Sequence, residues 1–141
     1  MTQVDFHINV PDRFGYACRL IRKIYRARRQ VLVWSDDPVG LAEFDRLLWT
    51  FSANEFIPHV SAADPLATDT PVLLSGDVPE IAHHDVLLNL GAATPPNFSR
   101  FDRLIELVSQ QAAERQAARE RFRFYRDRGY PLQTHDRASN P

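Results

Sequence analysis

Gln30 leads into Val31-Leu32-Val33-Trp34, a short continuous apolar run, β-branched and aromatic, with no polar residue to mark a wet face. That is the pattern of a strand covered on both sides. Just upstream, Phe14, Ala17, Cys18, Ile21, Ile24 and Tyr25 recur at spacings of three and four, which predicts an amphipathic helix with its arginines turned to water. Further upstream, Val4, Phe6, Ile8 and Val10 alternate with Asp5, His7 and Asn9. A period of two with polar alternates reads as an edge strand, or one covered on a single side. Strand, helix and strand together predict a parallel βαβ unit.

Downstream, Asp37-Pro38 reads as a helix cap followed by proline at the first helical position, ahead of Leu41, Phe44, Leu47, Leu48 and Phe51. Phe56-Ile57-Pro58-His59-Val60 leads into a loop over residues 61–70, punctuated by proline. Val72-Leu73-Leu74 and Val86-Leu87-Leu88-Asn89-Leu90 are further buried strands, and Leu104-Ile105-Glu106-Leu107-Val108 leans to strand on its β-branched content. Ser109 is the expected cap of a last helix from Gln110 to about Arg128, ended by Gly129 and Pro131. These elements predict one three-layer α/β domain over residues 1–132, with residues 133–141 as a flexible tail.

The 141 residues carry 17 Lys+Arg against 18 Asp+Glu, a net charge of −1. Near-neutrality argues against a uniform basic coat for nucleic acid and against an acidic disordered tail. The total hides a partition. Residues 13–29 hold seven cations and no acid, residues 30–114 three arginines and thirteen acids, and residues 115–128 six arginines and two acids. Only Lys23 among the cations is a lysine, and arginine forks suit carboxylates and phosphates. The lone Cys18 excludes an internal disulfide framework and suits a reducing cytosol, and no stretch approaches about 18 continuous apolar residues. The expected location is cytoplasmic, without a membrane partner.

Catalytic readings find little support. The five glycines are too scattered for a phosphate-binding loop, so no nucleotide cofactor is expected. His83-His84-Asp85, with His59 upstream, is the one cluster resembling a metal site, but adjacent residues on an extended chain point apart, and no metal is expected. Cys18 lies on the apolar helix face, where a buried thiol is the plain expectation.

The last helix offers a recognition surface. Arg115, Arg119, Phe122 and Arg126 fall within roughly 60° of one another at about 100° per residue. A solvated helix explains this stripe only weakly, since arginine excludes lysine there and an aromatic interrupts the cations. Nucleic-acid binding by arginines and aromatics is one alternative. An acidic peptide, its terminal carboxylate in the forks and its hydrophobic end in an aromatic slot, is another.

The run Ala118-Arg119-Glu120-Arg121-Phe122-Arg123-Phe124-Tyr125-Arg126-Asp127-Arg128-Gly129-Tyr130-Pro131-Leu132 resembles the C-terminal signature of the chi subunit family of bacterial DNA polymerase III holoenzyme. Leu47-Leu48-Trp49 followed by Glu55-Phe56-Ile57-Pro58-His59, and then Asp85-Val86-Leu87-Leu88-Asn89-Leu90, agree with it in order, so the resemblance spans nearly the whole chain. It implies a Rossmann-like, mostly parallel sheet that has lost nucleotide binding, and a non-catalytic accessory of the clamp-loader complex. It also implies that the acidic C-terminal tail of single-stranded-DNA-binding protein, ending in phenylalanine, is bound by Arg115, Arg119, Phe122 and Arg126, so that contact with DNA is mainly indirect. Arg119 would clamp the terminal carboxylate, Phe122 line the slot for the terminal ring, and Arg115 and Arg126 attract the aspartates. Phe122 stands where tyrosine is common in the family, which removes any hydroxyl contact, and arginine for lysine at Arg115 keeps the charge but not the geometry. A second implied surface binds the small partner psi through Trp49, Phe56, Ile57, Pro58 and His59, with a repair helicase as a further candidate there. On hydrophobicity alone Trp49 and Phe56 are expected in the core; the resemblance implies that at least Phe56 is exposed.

Overall fold

The computed structural model describes residues 1–51, 55–81 and 83–138. Seven strands form one sheet: β1 (Gln3–Ile8), β2 (Val31–Trp34), β3 (His59–Ser61), β4 (Val72–Ser75), β5 (Val86–Asn89), β6 (Arg103–Leu107) and β7 (Leu132–Asp136). They lie in the order β3-β4-β2-β5-β6-β1-β7, and every neighbouring pair is parallel. Helices α1 (Arg13–Arg26), α2 (Pro38–Thr50) and α3 (Ala112–Asp127) flank the sheet, with two short 3-10 turns at Ala67–Asp69 and Phe98–Arg100.

The two-residue period of the strands sorts the core into two slabs. Val31, Val33, Val72, Leu74, Val86, Leu88 and Ile105 face α1 and α2 through Ala17, Cys18, Ile21, Phe44 and Leu48. Val4, Phe6, Leu32, Leu73, Leu87 and Leu104 face α3 through Ala118 and Tyr125, together with Phe98 and Phe101 from a connecting loop. The result is a three-layer α/β sandwich of Rossmann-like type. No helix among the described residues is long and apolar enough to cross a membrane.

Three sequence expectations give way here. β1 is internal, between β6 and β7, rather than an edge strand. Its polar alternates are buried with partners: Asp5 meets the Arg103 guanidinium at 3.3 Å, and His7 Nδ1 is hydrogen-bonded to the Tyr16 hydroxyl of α1. The segment beginning at Gln133 is largely strand β7, which runs parallel to β1 from the pair Val4 and Leu132 to the pair Ile8 and Asp136. Its polar sequence, Leu-Gln-Thr-His-Asp, is held by backbone bonds at a sheet edge rather than by an apolar face. Ser109 does not cap α3 but closes a small turn by accepting from the Gln111 amide at 3.2 Å; the cap residue is Gln111.

The other ends read as expected. Asp37 accepts from the Val39 amide at 3.1 Å with Pro38 in the first helical turn. At the start of α1, a cap the sequence reading did not name, the Asp12 carboxylate accepts from the Gly15 amide and lies so close to that glycine that a larger side chain there would displace the cap. Gly129, at φ +81°, ends α3 with its own amide bonded to Arg126 O and the Tyr130 amide bonded to Tyr125 O. That pair of bonds is a Schellman cap, which favours glycine in the left-handed region.

Candidate functional site

α3 is fixed to the sheet by a buried polar knot. The fully buried Glu106 carboxylate of β6 accepts from Tyr125 OH at 2.6 Å, Arg121 Nε at 3.1 Å and Asn89 Nδ2 at 3.0 Å. Burial pushes this carboxyl up, and Arg121, Tyr125 and Asn89 pull it back down. A second Arg121 nitrogen donates to Ala92 O at 2.6 Å. The knot consumes one face of α3 and leaves the Arg115, Arg119 and Phe122 stripe, about 110° around the helix, at the border of the sheet.

That stripe borders a cleft of about 230 Å³ between α3, the end of β1 and β7. Phe6, Ile8, Val108, Ala118 and Phe122 make its apolar wall, Asn9, Ser109 and Thr134 its polar mouth, and Arg115 and Arg119 its rim. Phe122 is half-buried and meets Phe6 edge to face at 5.3 Å between ring centroids. Both arginines are exposed, and among the described residues the side-chain hydrogen bonding of Arg119 is a 3.4 Å approach to Gln116 of its own helix. An apolar cavity of about 150 Å³ already holds a benzene ring, so this one has room for a single aromatic side chain. Two forks a helical turn apart, unpaired with any acid among the described residues, suit a carboxylate beside that ring.

The structure thus brings Arg115, Arg119 and Phe122 together. Arg126 lies outside the cleft, exposed and 3.3 Å from the Asp127 carboxylate. Phe6, Ile8 and Val108 were missed by sequence reasoning about this site. The signal available was the alternation of β1, which puts Phe6 and Ile8 on one face, but nothing local says that this face lies beneath α3.

The second expected surface is split. Trp49 is 48% exposed and Phe56 66%, and their rings stack at 5.2 Å. The expectation that both belong to the core is overturned, and exposure of Phe56 agrees with the resemblance. Ile57 and His59 are buried beneath them, at 3% and 1% exposure, with Pro58 half-buried. The His59 ring lies 3.9 Å under Trp49, its Nδ1 2.8 Å from Ile57 O and its Nε2 2.9 Å from the Asp45 carboxylate. Ile57 and His59 support the aromatic pair from below.

Doubly wound sheets hold ligands at the carboxyl ends of their strands. Here that crevice, about 240 Å³, contains the Asp36 and Glu114 carboxylates. Its Arg13 is committed to Leu90 O at 2.9 Å and to Glu114 at 3.3 Å. Carboxylates and a spent cation oppose a pyrophosphate, in keeping with the absent glycine loop. His83 and His84 diverge as expected, the first buried and the second exposed, with His84 Nδ1 3.8 Å from both the Asp85 and Asp102 carboxylates. Cys18 is buried, and burial pushes its thiol up to about 12, which keeps it protonated.

With the cleft and the aromatic pair in place, comparison with known proteins is decisive. The family model described as "DNA polymerase III chi subunit, HolC" matches residues 1–133. The chain belongs to that family. Membership places it in DNA replication as a chi-type subunit of DNA polymerase III. It is 41% identical over 140 residues to "DNA polymerase III subunit chi" of Pseudomonas aeruginosa, covering 96% of each chain. Proteins of the same description from Haemophilus influenzae and Escherichia coli are 30% and 25% identical over 119 and 118 residues, covering 84% and 83% of this chain and 83% and 80% of theirs.

Proposed function

We propose that this chi-family chain is a non-catalytic adaptor that joins the polymerase clamp loader to single-stranded DNA coated by its binding protein. The binding protein's acidic C-terminal tail seats its terminal phenylalanine in the cleft between α3 and β1. Arg119 clamps the free α-carboxylate, Phe122 and Phe6 flank the terminal ring, and Arg115 and Arg126 attract the preceding acids. The observation that carries this reading is the convergence of two acid-free guanidiniums on an apolar slot the size of one ring.

Fluorescence anisotropy with a labelled acidic tail peptide and an equally labelled oligonucleotide tests it. Binding of the peptide supports the adaptor. Tight binding of the oligonucleotide, with none of the peptide, overturns it in favour of a direct nucleic-acid module.

The stacked Trp49 and Phe56 supply the other end of the adaptor, a docking point for psi or, through the same face, a repair helicase. Large exposed aromatics of this kind dominate interface energies. Phe56→Ala is expected to lose the partner captured from a native lysate while Tm is unchanged.

A further inference from the structure

Two helices in this chain end in the same motif with different residues at its left-handed position. α3 ends on Gly129, as described above. α1 ends with the Arg28 amide bonded to Tyr25 O at 2.9 Å and the Arg29 amide bonded to Ile24 O at 3.1 Å, the same Schellman pair. The residue in the left-handed region there is Arg28, at φ +60°. A Cβ is disfavoured in that region and glycine is the usual occupant. The fold alone therefore gives no reason for arginine at this point, and such an outlier is a pointer to function.

Arg28 also sits in a row of cations. Arg19, Lys23 and Arg26 lie within about 60° of one another on α1, and Arg28 and Arg29 follow in the cap just past the helix end; all five are exposed. Arg26 is paired with Glu55 at 2.6 Å, and Arg22, at the flank, lies over the Phe51 ring at 5.0 Å. Arg19, Lys23, Arg28 and Arg29 have no acidic partner among the described residues. The row lies on the face of the sheet opposite α3, so it is separate from the cleft.

We infer that the exposed edge of α1, through Arg19, Lys23, Arg28 and Arg29, is a contact for the phosphate backbone of single-stranded DNA. The chemistry favours a strand over an acidic peptide end. The row has no apolar slot, and its aromatics are half-buried or covered by arginine, so it offers repeated point charges along a line rather than a socket. A flexible strand follows a convex helix edge. Without stacking platforms the contact is weak, independent of sequence and steeply dependent on salt.

The test is anisotropy of a labelled oligo-dT strand titrated with the full chain across a salt series, for wild type, Arg28→Gly, Arg19→Gln/Lys23→Gln and Arg119→Ala. The slope of log affinity against log salt is expected to fall by about 0.7 for each contact removed. Low-salt affinity should drop several-fold in both α1 variants and stay unchanged in Arg119→Ala. Arg28→Gly should melt at or above the wild-type temperature, so its loss of binding is not a loss of fold. Wild-type strand binding in both α1 variants, loss of binding in Arg119→Ala, tighter binding of a duplex, or a lower melting temperature for Arg28→Gly would overturn the assignment. Because the tail peptide is read separately through Arg119, failure here leaves the adaptor reading to its own experiment.

Discussion

Tyr125 of α3 donates a 2.6 Å hydrogen bond to the Glu106 carboxylate of β6, at a point where both residues are fully buried. This bond and the Arg121 contact beside it set the rotation of α3 about its axis. Two residues that sequence reads as part of an arginine-rich surface are thereby separated: Arg121 goes to the core, while Arg119 remains at the rim of the cleft.

Removing Arg121 leaves a carboxylate in the core with a hydroxyl and an amide but no cation. Arg121→Met is expected to cost about 3–5 kcal/mol, as broken buried pairs do. The double variant Arg121→Met/Glu106→Gln should recover part of that loss, because no charge is then stranded. Urea unfolding of the two variants decides the matter. Equal destabilisation by both would show that the volume of Arg121, and not its charge, is what the core requires.

At the cleft the expected effects are on binding and not on folding. Arg119→Ala removes an exposed fork and should abolish binding of the tail peptide with stability changed by less than about 0.5 kcal/mol. Arg119→Lys should rescue only partly, since an ammonium cannot grip a carboxylate bidentately. Affinity for the peptide should also fall with added salt, because both arginines are exposed and screened. Isothermal titration with each variant measures these changes, and a salt-insensitive affinity would move the weight to the slot of Phe6 and Phe122.

The fold was legible where one face or both faces of an element are apolar. The runs at Val31, Val72 and Val86 became β2, β4 and β5, and the spacing of three and four from Phe14 became α1. β7 was not legible, since an edge strand held by backbone bonds leaves no hydrophobic trace in Gln133-Thr134-His135. β1 misled because polar alternates signal water unless long-range partners exist, and Arg103 and Tyr16 are such partners. In the cleft, helical spacing alone aligned Arg115, Arg119 and Phe122. Phe6 came from 116 positions away, a register that no local pattern encodes. Trp49 and Phe56 invert the rule: hydrophobicity predicts burial, and only the resemblance points outward.

His7 makes stability depend on pH. Burial, followed by the neighbouring His135 and Arg137 side chains, holds its imidazole down to about 4, against the raising effect of Asp5. The unfolded chain has an ordinary value of about 6.5, so between these two values the unfolded state binds more protons. The contribution of His7 is therefore complete above pH 6.5 and is lost as the pH falls toward 4, with a slope of at most about 1.4 kcal/mol per pH unit. Urea midpoints collected from pH 7 to 4.5 should decline for the wild type and flatten for His7→Gln, whose amide keeps a partner for Tyr16. A profile unchanged by that substitution would assign the decline to other groups.

Truncation after Leu132 separates a strand from a loose end. β7 supplies the outer neighbour of β1, and Asn9 Nδ2 donates to the Asp136 carboxylate at 3.0 Å across the same edge. Without β7 the polar alternates of β1 lose their cover, and His7 loses its stacked neighbour His135, whose ring centroid lies 4.9 Å away. Thr134, at the mouth of the cleft, is lost as well. The truncated chain is expected to unfold at a lower urea concentration and to bind the tail peptide more weakly, although every arginine of the stripe is still present. If truncation after Leu132 were silent, β7 would have to contribute neither to the sheet nor to the wall that shapes the slot.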